Sequence, residues 1–253
     1  MRRNTLRNLH QAGQPIINAW LSIPSAYAAE VVAQQDFDAA TVDMQHGMMG
    51  FSEAVAMLQA ISTTRAIPMV RPSGLDAPQI MRLLDAGAYG VICPMISTRA
   101  EAEALVSACR YPPAGRRSFG PSRGLLYGGA DYFTHANDEI LVFAMIETRE
   151  ALMNLDAILE TPGLDGIYVG PNDLAIELGC APKAEHDDPT VVVAVERARA
   201  ATAARGLIAG IFCSDGAAAR ARLQEGFRLV TPGNDAAMLR NTMAAMVRAA
   251  RAP

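Results

Sequence analysis

The sequence predicts a (β/α)8 barrel, on three observations. Short β-rich apolar runs alternate strictly with helical patterns, eight of each. The chain has 253 residues, a length at which α/β barrels routinely form one domain. The glycine-rich phosphate turn that often follows the first strand of a doubly wound sheet is absent.

The elements follow in order. Ile16 to Leu21 opens as a strand and Ala26 to Gln34 returns as a helix. Ala39 to Val42 precedes the helix Ser52 to Ser62, and Pro68 to Arg71 precedes Ala77 to Asp85. Gly90 to Pro94 leads to Arg99 to Arg110. Leu141 to Ile146 leads to Arg149 to Leu159, and Gly166 to Val169 to Thr190 to Ala204. Ile208 to Phe212 with Gly216 to Gln224, and Arg228 to Thr231 with Asp235 to Ala250, complete the series. No linker, low-complexity tract or internal repeat interrupts it, so residues 1–253 are read as one barrel domain. The one long excursion, Tyr111 to Glu139, carries Pro112-Pro113 and five glycines between Gly115 and Gly129. Long glycine-bearing loops in compact domains are often functional, and this one is expected to fold over the catalytic face.

Composition narrows the function. Half the residues are apolar, enough for a large core, and a net charge of -4 gives no footprint for nucleic acid. The apolar runs fall short of the roughly 20 residues that a membrane helix needs. Cys93, Cys109, Cys180 and Cys213 have no metal-type spacing, and the basic start Met1-Arg2-Arg3 is followed by no apolar signal core. These features point to a cytoplasmic protein with a small-molecule partner. Lys183 is the single lysine and lies in a polar stretch with Glu185, Asp187 and Asp188. Nearby negative charge raises a lysine pKa, whereas a Schiff base needs it lowered, so imine chemistry is not expected.

Active residues of such barrels sit at the C-terminal strand ends. Read in order, those ends offer Asp43 and His46, then Arg71, Pro94, Glu147 and Asp173. Glu147 directly follows the run Leu141 to Ile146, and Asp173 follows Gly166 to Val169 through Gly170-Pro171-Asn172. Two convergent carboxylates without cysteine or histidine beside them suit a hard divalent cation. Each residue also has a plainer reading: a loop histidine, a structural ion pair for Arg71, helix caps for Glu147 and Asp173. Their convergence on one face favours a site. The amides of Asn172 and Asp173, opening a helix, offer a place for an anion. Arg116-Arg117 is read as a solvated surface pair in preference to an acidic-substrate site.

Several segments carry a resemblance. Asp43-Met44-Gln45-His46, Val70-Arg71-Pro72, Arg110-Tyr111-Pro112-Pro113-Ala114-Gly115, Ile146-Glu147-Thr148-Arg149-Glu150-Ala151 and Gly170-Pro171-Asn172-Asp173-Leu174 resemble, in order, the HpcH/HpaI family. These are metal-dependent (class II) pyruvate aldolases with a phosphoenolpyruvate/pyruvate-type barrel. The resemblance implies that Glu147 and Asp173 hold Mg²⁺, Mn²⁺ or Co²⁺, on which pyruvate chelates. It implies that the Asn172 and Asp173 amides take the carboxylate, Arg71 stabilises the enolate and His46 is the acid/base. It further implies that Asp85 raises the basicity of the histidine and that the protein is a homo-oligomer, a hexamer in the family. Asp43, three residues from His46, is the simple local alternative as its partner. Since Asp85 ends a helix that returns to the opposite barrel face, it would reach His46 from a neighbouring subunit.

Two departures stand out. Met44 and Gln45 occupy a stretch that is often Asp-Gly-Glu-His in the family, and Met145 replaces a glutamine that helps hold substrate. The resulting expectation is reversible cleavage of a 4-hydroxy-2-oxo acid into pyruvate and an aldehyde. A decarboxylase or C–C bond-forming enzyme drawing its enolate from oxaloacetate is the alternative, and a non-catalytic binding barrel is a third reading.

Overall fold

In the computed structural model, which describes residues 1–252, eight parallel strands close into a barrel in sequence order. The strands are β1 (Ile16–Leu21), β2 (Ala39–Asp43), β3 (Ile67–Arg71), β4 (Gly90–Cys93), β5 (Leu141–Ile146), β6 (Gly166–Val169), β7 (Ile208–Cys213) and β8 (Leu229–Pro232). The ring closes where Ile16 faces Leu229 and Ile17 faces Val230. A helix α1 (Thr5–Gln11) precedes the barrel, and α2 (Ala26–Ala33), α3 (Phe51–Ile61), α4 (Ala77–Asp85) and α5 (Arg99–Cys109) follow the first four strands. The expected alternation is present, with boundaries shifted by a residue or two. Among the described residues no helix is long and apolar enough to cross a membrane.

The strands are buried on both faces, as a parallel barrel requires. Side chains alternate along a strand, so residues two apart share a face. Asn18 and Trp20, Thr41 and Asp43, Met69 and Arg71, and Tyr168 and Gly170 therefore pair up along the barrel axis. A deep polar knot fills the middle of the barrel. Thr41 donates to Asn18 at 2.9 Å, Asn18 to Thr231 at 3.0 Å, and the Tyr168 hydroxyl to Thr231 at 2.7 Å. These buried groups are paired, so they cost little and fix the rotamers of the layer above.

The helix expected over Arg149 to Leu159 is two, α8 (Arg149–Met153) and α9 (Leu155–Leu159). Asn154 ends one and begins the other, and its Nδ2 donates to the Ser97 carbonyl at 2.9 Å. That tertiary contact breaks a pattern that looks continuous in sequence.

The excursion after α5 does not cover the catalytic face. It folds into α6 (Ser122–Gly128) and α7 (Tyr132–Glu139) beneath the barrel, at the N-terminal strand ends. A helix-to-strand connection starts where a helix ends and finishes where a strand begins, so topology holds it on that side. Arg123 donates to the Ala86 carbonyl at 2.7 Å, past the end of α4, and the Arg2 amide donates to the Gly128 carbonyl. Asn4 joins in, with Nδ2 reaching the Tyr89 and Glu139 carbonyls at 3.1 and 2.8 Å. Arg117 is likewise no solvated surface residue. Its fully buried side chain donates to Asp85 at 2.7 Å and to the Tyr132 hydroxyl at 3.1 Å, under the Tyr111 ring at 4.5 Å. Arg116 stays exposed.

On the other side, α10 (Pro171–Glu177), α11 (Pro189–Ala204) and α12 (Gly216–Glu225) complete the outer ring. The last helix, α13 (Asp235–Arg251), has no buried residue. Its first turn is tied down because Asp235 accepts from the Ser22 amide and hydroxyl, both at 2.8 Å, and from the Ile23 amide at 3.1 Å. Beyond that turn Leu239, Met243, Met246 and Val247 form an exposed apolar stripe.

Arg117→Ala should test the lower staple. Removing one member of a buried pair typically costs about 3 kcal/mol or more. The variant should therefore unfold at a clearly lower urea concentration; an unchanged midpoint would show that the excursion contributes nothing to stability.

Candidate active site

At the C-terminal strand ends lies a cavity of about 250 Å³. Its walls include Trp20, Asp43, His46, Arg71, Met145, Tyr168, Asn172, Asp173 and Phe212. Strand register explains the assembly. Asp43 and Arg71 are direct partners across β2 and β3, so their side chains leave neighbouring strands at one level. Arg71 Nε donates to Asp43 Oδ1 at 2.8 Å and Nη2 to Oδ2 at 2.6 Å. The Trp20 indole also donates to Asp43, at 3.0 Å, and the Arg71 guanidinium lies 4.7 Å from the Trp20 ring centre. The amides of Gln45 and His46 turn back onto the same carboxylate.

Asp43 is thus occupied. Burial raises its pKa, but the Arg71 hydrogen bonds and charge, with the Trp20 and His46 donors, outweigh that and hold it below the usual carboxylate range. The simple local partnership between Asp43 and the His46 imidazole does not form. What Asp43 meets is the His46 backbone N–H, at 3.3 Å, while the exposed imidazole lines the cavity. Asp85 lies at the end of α4, bound to Arg117 and away from this cavity.

Glu147 and Asp173 are not helix caps. Thr148 caps α8 through its side chain, and α10 begins at Gly170 with no side-chain cap. Glu147 is buried just behind the cavity wall, and a Cβ on Gly170 would come within 2.4 Å of its Oε2. A side chain at Gly170 would therefore push this carboxylate out of place. The Met95 amide donates to Glu147 Oε1 at 2.7 Å, from a residue with φ of 59°, a conformation that disfavours a side chain. Burial, abetted by the Asp173 charge and opposed by the Met95 bond, pushes Glu147 up to about 7.

Two carboxylates that repel each other at the edge of a cavity are a donor set a divalent cation would relieve. Among the described residues no cluster of three or more His, Cys, Asp or Glu is placed to hold a metal. The set is still adequate for an ion of the Mg²⁺ type, which is commonly held by one or two carboxylates and otherwise by substrate oxygens and water.

Sequence reasoning missed the aromatic lining. Trp20 stacks on Tyr168 at 5.4 Å between centroids and meets Phe212 edge-on at 5.8 Å. All three occupy inward positions near strand ends, so the rule that found Arg71 could have found them had it not been restricted to polar residues. Ser22 and Asn234 at the rim were likewise missed. Lys183 is half-exposed and paired with Asp187, whose hydrogen bond and charge raise its pKa, as the acidic surroundings imply.

The depressed pKa of Asp43 has a stability consequence. Its contribution is complete above the ordinary carboxylate pKa and lost as pH falls through the lower folded value. In urea titrations, wild type should exceed Asp43→Asn in stability at neutral pH, with the gap narrowing below about pH 4. A gap independent of pH would mean that the ionised pair is not its source.

Comparison with known proteins adds to this geometry. A hydroxypyruvate/pyruvate aldolase of Rhizorhabdus wittichii is 45% identical over 249 residues, covering 98% of this chain and 99% of its own. A 4-hydroxy-2-oxo-heptane-1,7-dioate aldolase of Salmonella arizonae is 38% identical over 240 residues, covering 94% of this chain and 90% of its own. The crystal structure of an HpcH/HpaI aldolase/citrate lyase family protein from Burkholderia cenocepacia superposes with a TM-score of 0.92 at 30% identity, over 99% of this chain and 100% of the other. The HpcH/HpaI aldolase/citrate lyase model matches residues 17–242, nearly the whole barrel, and the chain belongs to that family.

Proposed function

We propose that this protein is a class II pyruvate aldolase, a carbon–carbon lyase that reversibly cleaves a 4-hydroxy-2-oxo acid into pyruvate and an aldehyde. The convergence of His46, Arg71 and Asp173 in one cavity, with Glu147 behind Gly170, carries the reading. The two aldolases compared above support it.

Each residue then has a part. Glu147 and Asp173 would hold Mg²⁺, Mn²⁺ or Co²⁺, which when bound supplies a Lewis acid for the 2-oxo group. Arg71 spends Nε and Nη2 on Asp43, and its Nη1 has no partner among the described residues. That end of the guanidinium can donate to the oxygen on which negative charge grows as C3–C4 breaks. Asp43 keeps the fork in plane, a positioning role. The Asn172 and Asp173 amides, uncapped by any side chain, receive the substrate carboxylate. His46 removes the C4 hydroxyl proton during cleavage and returns it during addition. Trp20, Tyr168, Phe212 and Met145 make the walls apolar and limit water around the carbanion. Four free cysteines suit a reducing cytoplasm.

The test follows pyruvate release from 4-hydroxy-2-oxo acids, with oxaloacetate in parallel to detect decarboxylation. Chelation should abolish release and added metal restore it. Glu147→Gln and Asp173→Asn should be nearly inactive, and His46→Ala roughly 10²–10⁴-fold slower. Lys183→Ala should remain near normal. Turnover that survives chelation, with a borohydride-trapped pyruvyl-lysine, would overturn the assignment.

Homo-oligomerisation belongs to the same proposal. It is supported by the exposed stripe on α13, and by the position of Asp85, which could serve His46 only from another subunit. Light scattering should give an oligomer in wild type and a smaller species in Leu239→Ser/Met243→Ser. A wild-type monomer with full activity would remove both α13 docking and any role for Asp85 in catalysis.

A further inference from the structure

A turn outside the cavity wall sets the position of Glu147. After β4 the chain runs through Pro94, Met95, Ile96 and Ser97 to Thr98, the N-cap of α5, and none of these residues lines the cavity. The Met95 amide donates to Glu147 Oε1 at 2.7 Å from a backbone at φ of 59°. The Met95 side chain is exposed, so its packing does not hold that unfavourable conformation. The hold comes from the residues that follow.

Ile96 is fully buried, and the Ser97 and Thr98 amides both donate to Glu101 Oε2, at 2.7 and 2.9 Å. Ser97 is fixed at two further points. Its carbonyl accepts from Asn154 Nδ2 at 2.9 Å, and its hydroxyl lies 2.7 Å from that of Thr148. A carbonyl can only accept, so the orientation of the Asn154 amide follows from that bond. Thr148 is the residue after Glu147, and its hydroxyl accepts from the Ala151 amide at 2.9 Å as the cap of α8.

The turns after β4 and β5 are therefore tied together at two places. These strands are neighbours, with Cys93 facing Ala144, so the turns leave the sheet side by side. Glu147 is held from both: through the chain by Thr148, and at Oε1 by the Met95 peptide. The two carboxylate oxygens are thereby divided. Oε1 is spent on Met95, while Oε2 has no hydrogen bond among the described residues and lies against Gly170, a residue of the cavity wall. The helix break at Asn154 acquires a purpose as well. Asparagine is a modest helix former, and here its side chain is used to fasten the Ser97 turn.

We propose that Ser97, Thr148 and Asn154 are positioning residues for metal binding. Joined, they hold the Met95 peptide in its left-handed conformation, its N–H fixes Glu147 Oε1, and Oε2 is presented to the divalent cation. The inference rests on the metal-dependent reading of the site and adds the residues that aim one of its two ligands.

The experiment measures Mn²⁺ binding to the metal-free protein with pyruvate present, from the loss of the free-ion paramagnetic resonance signal. A urea midpoint is recorded for each variant. Met95→Asn and Met95→Val separate peptide from side chain, because asparagine tolerates the left-handed region and a β-branched residue does not. Met95→Asn should retain affinity. Met95→Val should bind roughly 10-fold more weakly or worse, the usual cost of losing a group that orients a metal ligand. Asn154→Ala and Thr148→Val act one step further away and should lose roughly 3- to 10-fold, with rescue in Thr148→Ser, which keeps the hydroxyl and the cap. A clamp serving stability alone would lower the urea midpoints without moving the affinity of the folded protein.

Wild-type affinity in Met95→Val, or equal losses in Met95→Val and Met95→Asn, would overturn the inference. Unchanged affinity in folded Asn154→Ala and Thr148→Val would do the same. Should either of those two fail to fold, the Met95 pair decides, because that side chain is exposed. Glu147→Gln separates the two levels. A large loss in Glu147→Gln with none in Met95→Val sinks the inference alone. No Mn²⁺ binding by wild type, or binding that Glu147→Gln leaves intact, removes the metal assignment and the inference together.

Discussion

The pairing of Asp43 with Arg71 is the constraint around which the upper barrel is organised. It follows from register, since the two residues face each other across β2 and β3. A buried ion pair is weak support for stability, because desolvating both charges offsets most of their attraction. What it secures is geometry. Two parallel bonds hold the guanidinium plane, the Trp20 indole fixes the carboxylate from a third side, and the turn amides of Gln45 and His46 close on it. The strand end, the indole, the turn that presents His46 and the free end of Arg71 are thus set by one carboxylate.

The opposite wall is arranged in the contrary sense. Where Asp43 is compensated several times over, Glu147 is buried with one backbone donor and a like charge nearby. That donor comes from Met95, held in a left-handed conformation, and Gly170 leaves the space that a side chain would fill. An unfavourable backbone and an undercompensated acid at one place are features a folding optimum would remove, and their coincidence is the physical argument behind the proposed binding site. One side of the cavity is preorganised by satisfied bonds, and the other holds a buried acid with little compensation.

Legibility in the sequence divides along physical lines. The barrel was readable because short β-rich runs and helical periodicity are local, and because strand ends in a parallel barrel share one face. Arg71, Glu147, Asp173 and His46 came from that rule and do meet at one cavity or its wall. Partner choice was not readable. The three-residue spacing from Asp43 to His46 suggests a local dyad, but the stronger cross-strand donor takes the carboxylate, and cross-strand register is not a local property. The excursion was misplaced because glycine content was weighed above connectivity. The break at Asn154 likewise depends on a contact formed only after folding, at Ser97.

Two of the buried arginine–aspartate pairs show why charge and burial alone do not identify a site. Arg71 with Asp43 lies against Trp20; Arg117 with Asp85 lies against Tyr111 and Tyr132. Both join buried guanidinium, carboxylate and aromatic face, and a census of perturbed groups would find both. Topology separates them. The first pair stands at C-terminal strand ends, where loops can vary without disturbing the barrel and a cavity opens onto the arginine. The second lies at a helix-to-strand connection, walled in by α6 and α7, where it closes the barrel floor. The same interaction opens an arginine onto a cavity at one end of the barrel and fastens a connection at the other. A functional assignment for a buried ion pair in this fold must therefore be argued first from the end of the strands on which it stands.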